Sequence, residues 1–124
     1  MNILLISPKY DSCIIAPHLG LGYLSSNLKK YGHEVIVAGD GQKGLELAIS
    51  ESPQLIFTDL MMPITDGWKF MELLRECKDC KKIPVVAMTG RCDELSRKRA
   101  EGLGARIVLP KPLDFEEIQV ILEE

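Results

Sequence analysis

The most informative part of the sequence is residues 53–67, which read PQLIFTDLMMPITDG. It contains an apolar run of strand length, 54–59, that ends in a carboxylate, Asp59. A run that is apolar throughout, without alternation, is typical of a parallel strand covered on both faces. The stretch closes on Asp66 and Gly67, and Asp66 can cap the N-terminus of a following helix. Residues 53–67 therefore predict a buried strand, a loop and a helix, with Asp59 at the carboxyl end of the strand.

The same alternation of strand and helix repeats along the chain. Four further apolar runs lie at 2–7, 33–38, 83–89 and 105–109, and each of the five runs is followed by apolar residues at helical spacing. The helical stripes are Leu19-Tyr23-Leu24-Leu28, Leu45-Leu47-Ala48-Ile49, Trp68-Phe70-Met71-Leu74, Leu95-Ala100-Leu103 and Phe115-Ile118-Ile121-Leu122. Five such repeats, joined by right-handed crossovers, predict an α/β fold of the (βα)5 type. The expected architecture is a flavodoxin-like, doubly wound, parallel five-stranded sheet with strand order 2-1-3-4-5.

Length and composition exclude several classes of protein. A chain of 124 residues fits a single domain over 1–124, and 46% hydrophobic with 27% charged residues is an ordinary globular balance. The net charge of -3 gives no basic footprint, so direct binding to nucleic acid is not expected. No segment has the features of a signal peptide or a membrane-spanning helix. We therefore expect a cytoplasmic protein with no membrane contact and with reduced thiols.

Cys77 and Cys80 form a C-x2-C pair, which can indicate a zinc site or a redox site. A structural zinc ion takes four ligands, and the other cysteines and histidines are scattered, at Cys13, His18, His33 and Cys92. The pair is also predicted to follow a helix rather than a strand, unlike the thioredoxin-like motif. The spacing favours ordinary thiols and leaves a metal or redox role as the weaker alternative.

Three polar residues follow successive strands of the predicted sheet at one edge. The third strand ends in Asp59, the fourth ends in Thr89, and Lys111 comes directly after the fifth. A carboxylate can act as a nucleophile toward phosphorus, and hydroxyl and ammonium groups can bind phosphoryl oxygens. These residues therefore predict a site that binds a phosphoryl group. No nucleophile–base pair with an orienting third group is visible in the sequence, so we expect that the protein is not itself an enzyme.

Three segments resemble the receiver domains of bacterial two-component response regulators. They are residues 53–67, residues 83–90 (IPVVAMTG), and the pair GLGA at 102–105 and LPKPL at 109–113. The resemblance covers roughly residues 32–124, and three motifs in the right order are highly specific.

The resemblance implies a function and a set of site residues. Asp59 would accept a phosphoryl group from a histidine kinase or phosphotransfer protein, and Thr89 and Lys111 would contact that group. Asp59 and the backbone carbonyl of Met61 would ligate Mg2+. A downstream effector, or a second copy in a homodimer, would bind the α4-β5-α5 face, formed by the fourth helix, fifth strand and fifth helix.

The sequence departs from the receiver pattern after the first strand. The family carries two adjacent acids there, whereas this chain has Ser7 and Pro8. Mg2+ prefers hard oxygen ligands and is usually held by carboxylates, so we expect Mg2+ binding to be weak or absent. Asp11 is the nearest acid that could replace the missing ligands.

Residues 7–10 and 17–24 are similar instead to the N-terminal part of the cobalamin-binding domains attached to radical-SAM enzymes. The D-x-H-x-x-G pattern that ligates cobalamin is absent around His18. Three interpretations therefore stand: a phosphorylatable receiver, a receiver-like interaction module that works without phosphate, and, less favoured, a domain that binds a small corrinoid-like molecule.

Overall fold

The computed structural model describes residues 1–6, 28–60, 67–89, 94–110 and 115–123. Five strands are present: β1 (Asn2–Ile6), β2 (Glu34–Ala38), β3 (Leu55–Asp59), β4 (Val85–Thr89) and β5 (Ala105–Pro110). All neighbouring strands pair in parallel, in the order β2-β1-β3-β4-β5. This confirms the predicted flavodoxin-like sheet, and the predicted strand ends differ from the observed ones by at most two residues.

Helices alternate with the strands. The chain is helical at residues 28–30 (α1), and the other helices are α2 (Gly41–Glu51), α3 (Gly67–Glu76), α4 (Glu94–Gly102) and α5 (Phe115–Glu123). Asp40 caps α2, because its Oδ1 accepts a hydrogen bond from the backbone N–H of Lys43 at 2.8 Å. None of the described helices combines the length and the hydrophobicity that a membrane crossing needs.

The sheet is covered on both faces, as the uniformly apolar strands predict. One core cluster joins β1, β3 and β4 to buried residues of α2, α3 and α4, and the other joins the opposite faces of these strands to Leu28 and Ile118. The strand positions expected to be buried are all at most 4% exposed: Leu4, Ile6, Leu55, Phe57, Val85 and Ala87. β3 and β4 therefore lie inside the sheet with both faces covered, and Asp59 and Thr89 are at the carboxyl ends of these buried strands.

Two residues of the predicted helical stripes do not face the core. Leu95 is 82% exposed and Ile49 is 54% exposed. Leu95 lies five residues before the buried Ala100, which places it roughly 140° away around α4. Ile49 lies next to the buried Ala48, about 100° away around α2, for the same geometric reason.

Candidate functional site

Buried polar side chains mark one edge of the sheet. Among the described residues, the buried polar or charged ones are Thr58, Asp59 and Thr89, at 0%, 3% and 3% exposure. All three lie at the carboxyl ends of β3 and β4. Burying a carboxylate is costly unless its surroundings compensate for lost hydration, so carboxylates are seldom found in such positions without a role. Open parallel sheets also bind their ligands outside these strand ends.

The strand register brings four strand ends together. Asp59 lies beside Met88, the residue before Thr89, and Thr89 in turn lies beside Pro110. Thr58 lies beside Ile6, the last residue of β1. The ends of β1, β3, β4 and β5 therefore meet at the edge where Asp59 and Thr89 are buried.

The backbone around Asp59 is held on both sides. The N–H of Leu60 donates to the carbonyl of Met88 at 3.0 Å, which continues the sheet one residue beyond Asp59. The N–H of Gly67 donates to the carbonyl of Leu60 at 3.1 Å, and the Thr58 hydroxyl donates to the carbonyl of Asp59 at 3.2 Å. Asp59 is thus anchored to β4 and to the first residue of α3.

Gly67 is required where α3 meets β3. A Cβ at this position would lie 2.6 Å from the Cα of Leu60 and would also collide with the Asp59 carbonyl. Only glycine permits this approach of two backbones. The sequence indicated the start of a helix at this point but not the contact that demands glycine.

A second feature that the sequence did not predict joins α3 to α4. The Arg99 guanidinium lies over the Trp68 ring, with its Cζ 4.3 Å from the ring centroid, a distance typical of a cation–π interaction. Trp68 follows Gly67 directly, so the beginning of α3 is tied both to the Asp59 backbone and to α4.

The predicted site residues divide into two groups. Asp59 and Thr89 are at the predicted strand ends, and Thr89 directly follows Met88, the register partner of Asp59. Lys111 follows Pro110, the partner of Thr89, but itself lies outside the described residues, as do the predicted metal ligands Met61 and Asp11. Ser7 and Pro8, the substituted positions after β1, are also outside them.

The described residues alone do not make a Mg2+ site. They place one buried carboxylate, Asp59, at this edge, and within the described ranges no group of three or more His, Cys, Asp or Glu residues is close enough to hold a metal ion. Mg2+ demands near-octahedral oxygen coordination. A Mg2+ site with three or more such side chains would therefore include residues outside the described ranges.

Comparison with known proteins identifies the family to which the sequence is similar. The model of the response regulator receiver domain matches residues 18–123. The chain is 33% identical over 95 residues to the protein PilH of Pseudomonas aeruginosa, covering 77% of this chain and 78% of PilH. It is also 33% identical over 96 residues to the transcriptional regulatory protein HprR of Escherichia coli, covering 77% of this chain but 42% of HprR. The chain thus spans less than half the length of HprR.

A similar solved structure is the receiver domain of the sensor histidine kinase PA1611 of Pseudomonas aeruginosa, which has a magnesium ion coordinated in its active-site cleft. It superimposes with a TM-score of 0.83 at 22% identity, covering 98% of this chain and 93% of that one, and so supports the fold. The family match extends over most of the sequence and agrees with the observed strand order. The chain therefore belongs to the response regulator receiver domain family of two-component systems.

Proposed function

We propose that Asp59 is the phosphoacceptor of this receiver domain and that Thr89 and Lys111 contact the phosphoryl group. The observation that carries this proposal is the burial of Asp59 and Thr89, each 3% exposed, at the carboxyl ends of two adjacent central strands. Receiver domains act in signalling with histidine kinases or phosphotransfer proteins and with effectors, and are generally not enzymes. We infer that a phosphohistidine of such a partner is the phosphoryl donor.

In the proposed phosphoryl transfer, one bond to phosphorus forms at Asp59 as another breaks at the donor. An Asp59 carboxylate oxygen forms a bond to phosphorus as the phosphorus–nitrogen bond of the donor histidine breaks, and that nitrogen then takes up a proton. The Thr89 hydroxyl donates to a phosphoryl oxygen, and the Lys111 ammonium neutralises part of the charge. The anchoring of the Asp59 backbone by Leu60 and Gly67 keeps the nucleophile in place, which favours in-line attack.

Receiver domains typically bind Mg2+ in the active site, and we propose that this one binds it weakly. Ser7 and Pro8 supply no carboxylate where the family has two, which leaves Asp59, the Met61 carbonyl and Asp11 as the candidate protein ligands. The consequence is slow phosphorylation, because less positive charge stabilises the group in transfer.

The α4-β5-α5 face is the proposed output surface. It carries two large apolar side chains that are exposed among the described residues, Leu95 on α4 at 82% and Val120 on α5 at 59%. Exposed apolar side chains can contribute to a surface that binds a partner when they form one patch. A downstream effector or a second copy of the chain would bury them.

The alternative is a phosphorylation-independent interaction module, and the observation that favours it is the Ser7-Pro8 substitution. Such a module would keep the fold and the exposed α4-β5-α5 face but would take up no phosphoryl group. The two functions therefore differ in one measurable property, the reactivity of Asp59.

Beryllofluoride binding tests the proposal, since beryllofluoride on a carboxylate mimics an acyl phosphate. Trp68, the sole tryptophan, lies in α3 directly after Gly67, which contacts the Asp59 backbone, so its fluorescence is the chosen probe. Addition to the wild-type chain at high Mg2+ should change its fluorescence saturably, and Asp59→Asn should abolish the change. No saturable change, even after restoring acids with Ser7→Asp and Pro8→Asp, would favour the interaction module instead.

A further inference from the structure

A cysteine pair occupies the turn between α3 and β4. The backbone N–H of Cys77 donates to the carbonyl of Leu74 at 3.1 Å, and the N–H of Cys80 donates to the carbonyl of Cys77 at 3.1 Å. The N–H of Lys81 also donates to the Cys77 carbonyl, at 3.0 Å. The chain therefore folds back tightly, with Cys77 and Cys80 as the first and last residues of a four-residue turn.

This turn suits a disulfide. A turn closed by a hydrogen bond between its first and fourth residues brings their Cα atoms within about 7 Å, and disulfides join Cα atoms roughly 4.4–6.8 Å apart. Both thiols are free, and the backbone turn alone brings the two residues close together. Little backbone movement is therefore needed to join them.

The two thiols have different environments. Cys77 is partly exposed, whereas Cys80 is 1% exposed and belongs to the core cluster that includes Leu74 and Val85. The hydrogen bond from the Cys80 thiol lowers the pKa of Cys77, and burial raises the pKa of Cys80 to about 12. A reachable thiol with a lowered pKa beside a buried thiol with a raised pKa is the division of roles that thiol–disulfide exchange requires.

We propose that Cys77 and Cys80 form a reversible redox site that takes small disulfides of the glutathione type as its oxidant. The Cys77 thiolate attacks one sulfur of the small disulfide, which forms a mixed disulfide and releases one small thiolate. The Cys80 thiol then loses its proton and attacks the Cys77 sulfur, which forms the internal disulfide and releases the second small thiolate. The two cysteines are oxidised by two electrons in total, and the small disulfide is reduced to two thiols.

The site is independent of the proposed phosphoryl chemistry. Gly67, at the first residue of α3, contacts Asp59, whereas Cys77 follows the last residue of the same helix. A metal site is not the better interpretation, because no third His, Cys, Asp or Glu joins the pair to form a metal-binding group in the part of the chain that the structure describes. The disulfide would fix the turn that leads from α3 into β4.

The experiment uses the full chain with Cys13→Ser and Cys92→Ser, which leaves Cys77 and Cys80 as the only thiols. After incubation with glutathione disulfide and capping with an alkylating reagent, its intact mass should show the loss of two hydrogens and no adduct. Cys80→Ala in this background should instead accumulate a glutathione adduct on Cys77. Cys77→Ala should react at least about tenfold more slowly than Cys80→Ala, because Cys80 is buried and protonated.

Three results would overturn the proposal: full capping of both thiols after incubation, a stable adduct in the chain that retains both cysteines, or equal reactivity of the two single-cysteine chains. Melting curves establish whether each variant is folded. If Cys80→Ala is unfolded, peptide mapping of the oxidised wild-type chain decides instead. A Cys77–Cys80 cross-link supports the proposal, and cross-links that use only Cys13 or Cys92 contradict it.

Discussion

Gly67 packs against the backbone of Asp59 so closely that a Cβ at position 67 would lie 3.0 Å from the Asp59 carbonyl carbon. The same Cβ would lie 2.6 Å from the Cα of Leu60. Both neighbours are main-chain atoms, one in the central strand β3 and one in the residue directly after it, so neither can move aside as a flexible side chain could. The first residue of α3 therefore packs directly against the backbone of the proposed phosphoacceptor.

Gly67→Ala should lower the free energy of unfolding by about 1–3 kcal/mol, because the added methyl group must displace backbone of a packed core. Urea denaturation measures this. Gly102→Ala is the matched control, since a Cβ at that helical position meets nothing within 4 Å. The control should be neutral or raise stability by up to about 1 kcal/mol. Equal stabilities for Gly67→Ala and the wild type would refute the close packing of α3 on β3.

The contact between Arg99 and Trp68 should contribute a measurable coupling energy between α4 and α3. A double-mutant cycle with Arg99→Met and Trp68→Leu should give about 0.5–1 kcal/mol, the range for a cation–π pair at the surface. Lys98→Met is the control partner, because Lys98 pairs with Glu94, at 3.4 Å, within the same helix. Its cycle with Trp68→Leu should give no coupling. If both cycles give the same value, the stacking contributes nothing specific.

His33 should make the protein sensitive to mild acid. Burial, and then the positive charge of the Met1 amino group, hold the pKa of His33 below its ordinary value, and its Nδ1 is buried with no hydrogen-bond partner among the described residues. The unfolded chain therefore binds a proton more readily than the folded one, so stability falls as pH decreases below about 6.5, toward the lowered folded pKa.

The comparison that isolates this effect is His33→Gln against the wild type. Between about pH 7.5 and pH 5.5 the melting temperature of the wild type should fall further than that of His33→Gln, since the variant has no imidazole to protonate. The carboxylates titrate equally in both proteins, so their effect on the melting temperature cancels in the comparison. If the melting temperatures of the wild type and of His33→Gln fall by the same amount across this pH range, His33 is not the group that makes the protein sensitive to acid.

Mg2+ affinity tests the effect of the missing acids. The wild-type chain should bind Mg2+ weakly or not at all near neutral pH, and Ser7→Asp with Pro8→Asp should strengthen binding by adding two hard oxygen ligands. Titration followed by Trp68 fluorescence measures both. Ser7→Asn with Pro8→Asn is the uncharged control and should resemble the wild type. Submillimolar binding by the wild type would contradict the prediction and would point to Asp11 as a replacement ligand.

The fold was predictable because its signals are local. Apolar runs such as 54–59 must be covered on both faces, and residues such as Gly104, with a φ of 105° after α4, end the helices between them. The exposed position of Leu95 was not predictable from the stripe that contained it. Apolar content alone does not give the rotation of a short helix, and α4 has one buried residue, Ala100, to define its inner face.

The candidate site was predictable only in part. Asp59 and Thr89 could be placed because the carboxyl ends of parallel strands share one edge. The contact of Gly67 with the Asp59 backbone and the stacking of Arg99 on Trp68 depend on distances between elements, which sequence spacing does not encode. The close approach of Cys77 and Cys80 follows from the turn between α3 and β4, whereas their spacing in the sequence alone favoured ordinary thiols.

The most direct test of Asp59 as the phosphoacceptor is intact mass after incubation with Mg2+ and a small phosphodonor such as phosphoramidate. The wild-type chain should gain a single phosphoryl group slowly, the Ser7→Asp and Pro8→Asp variant should gain it faster, and Asp59→Asn should gain none in either background. A phosphoryl group that persists in the Asp59→Asn chain, or its absence from the acid-restored chain at saturating Mg2+, would contradict the assignment of Asp59.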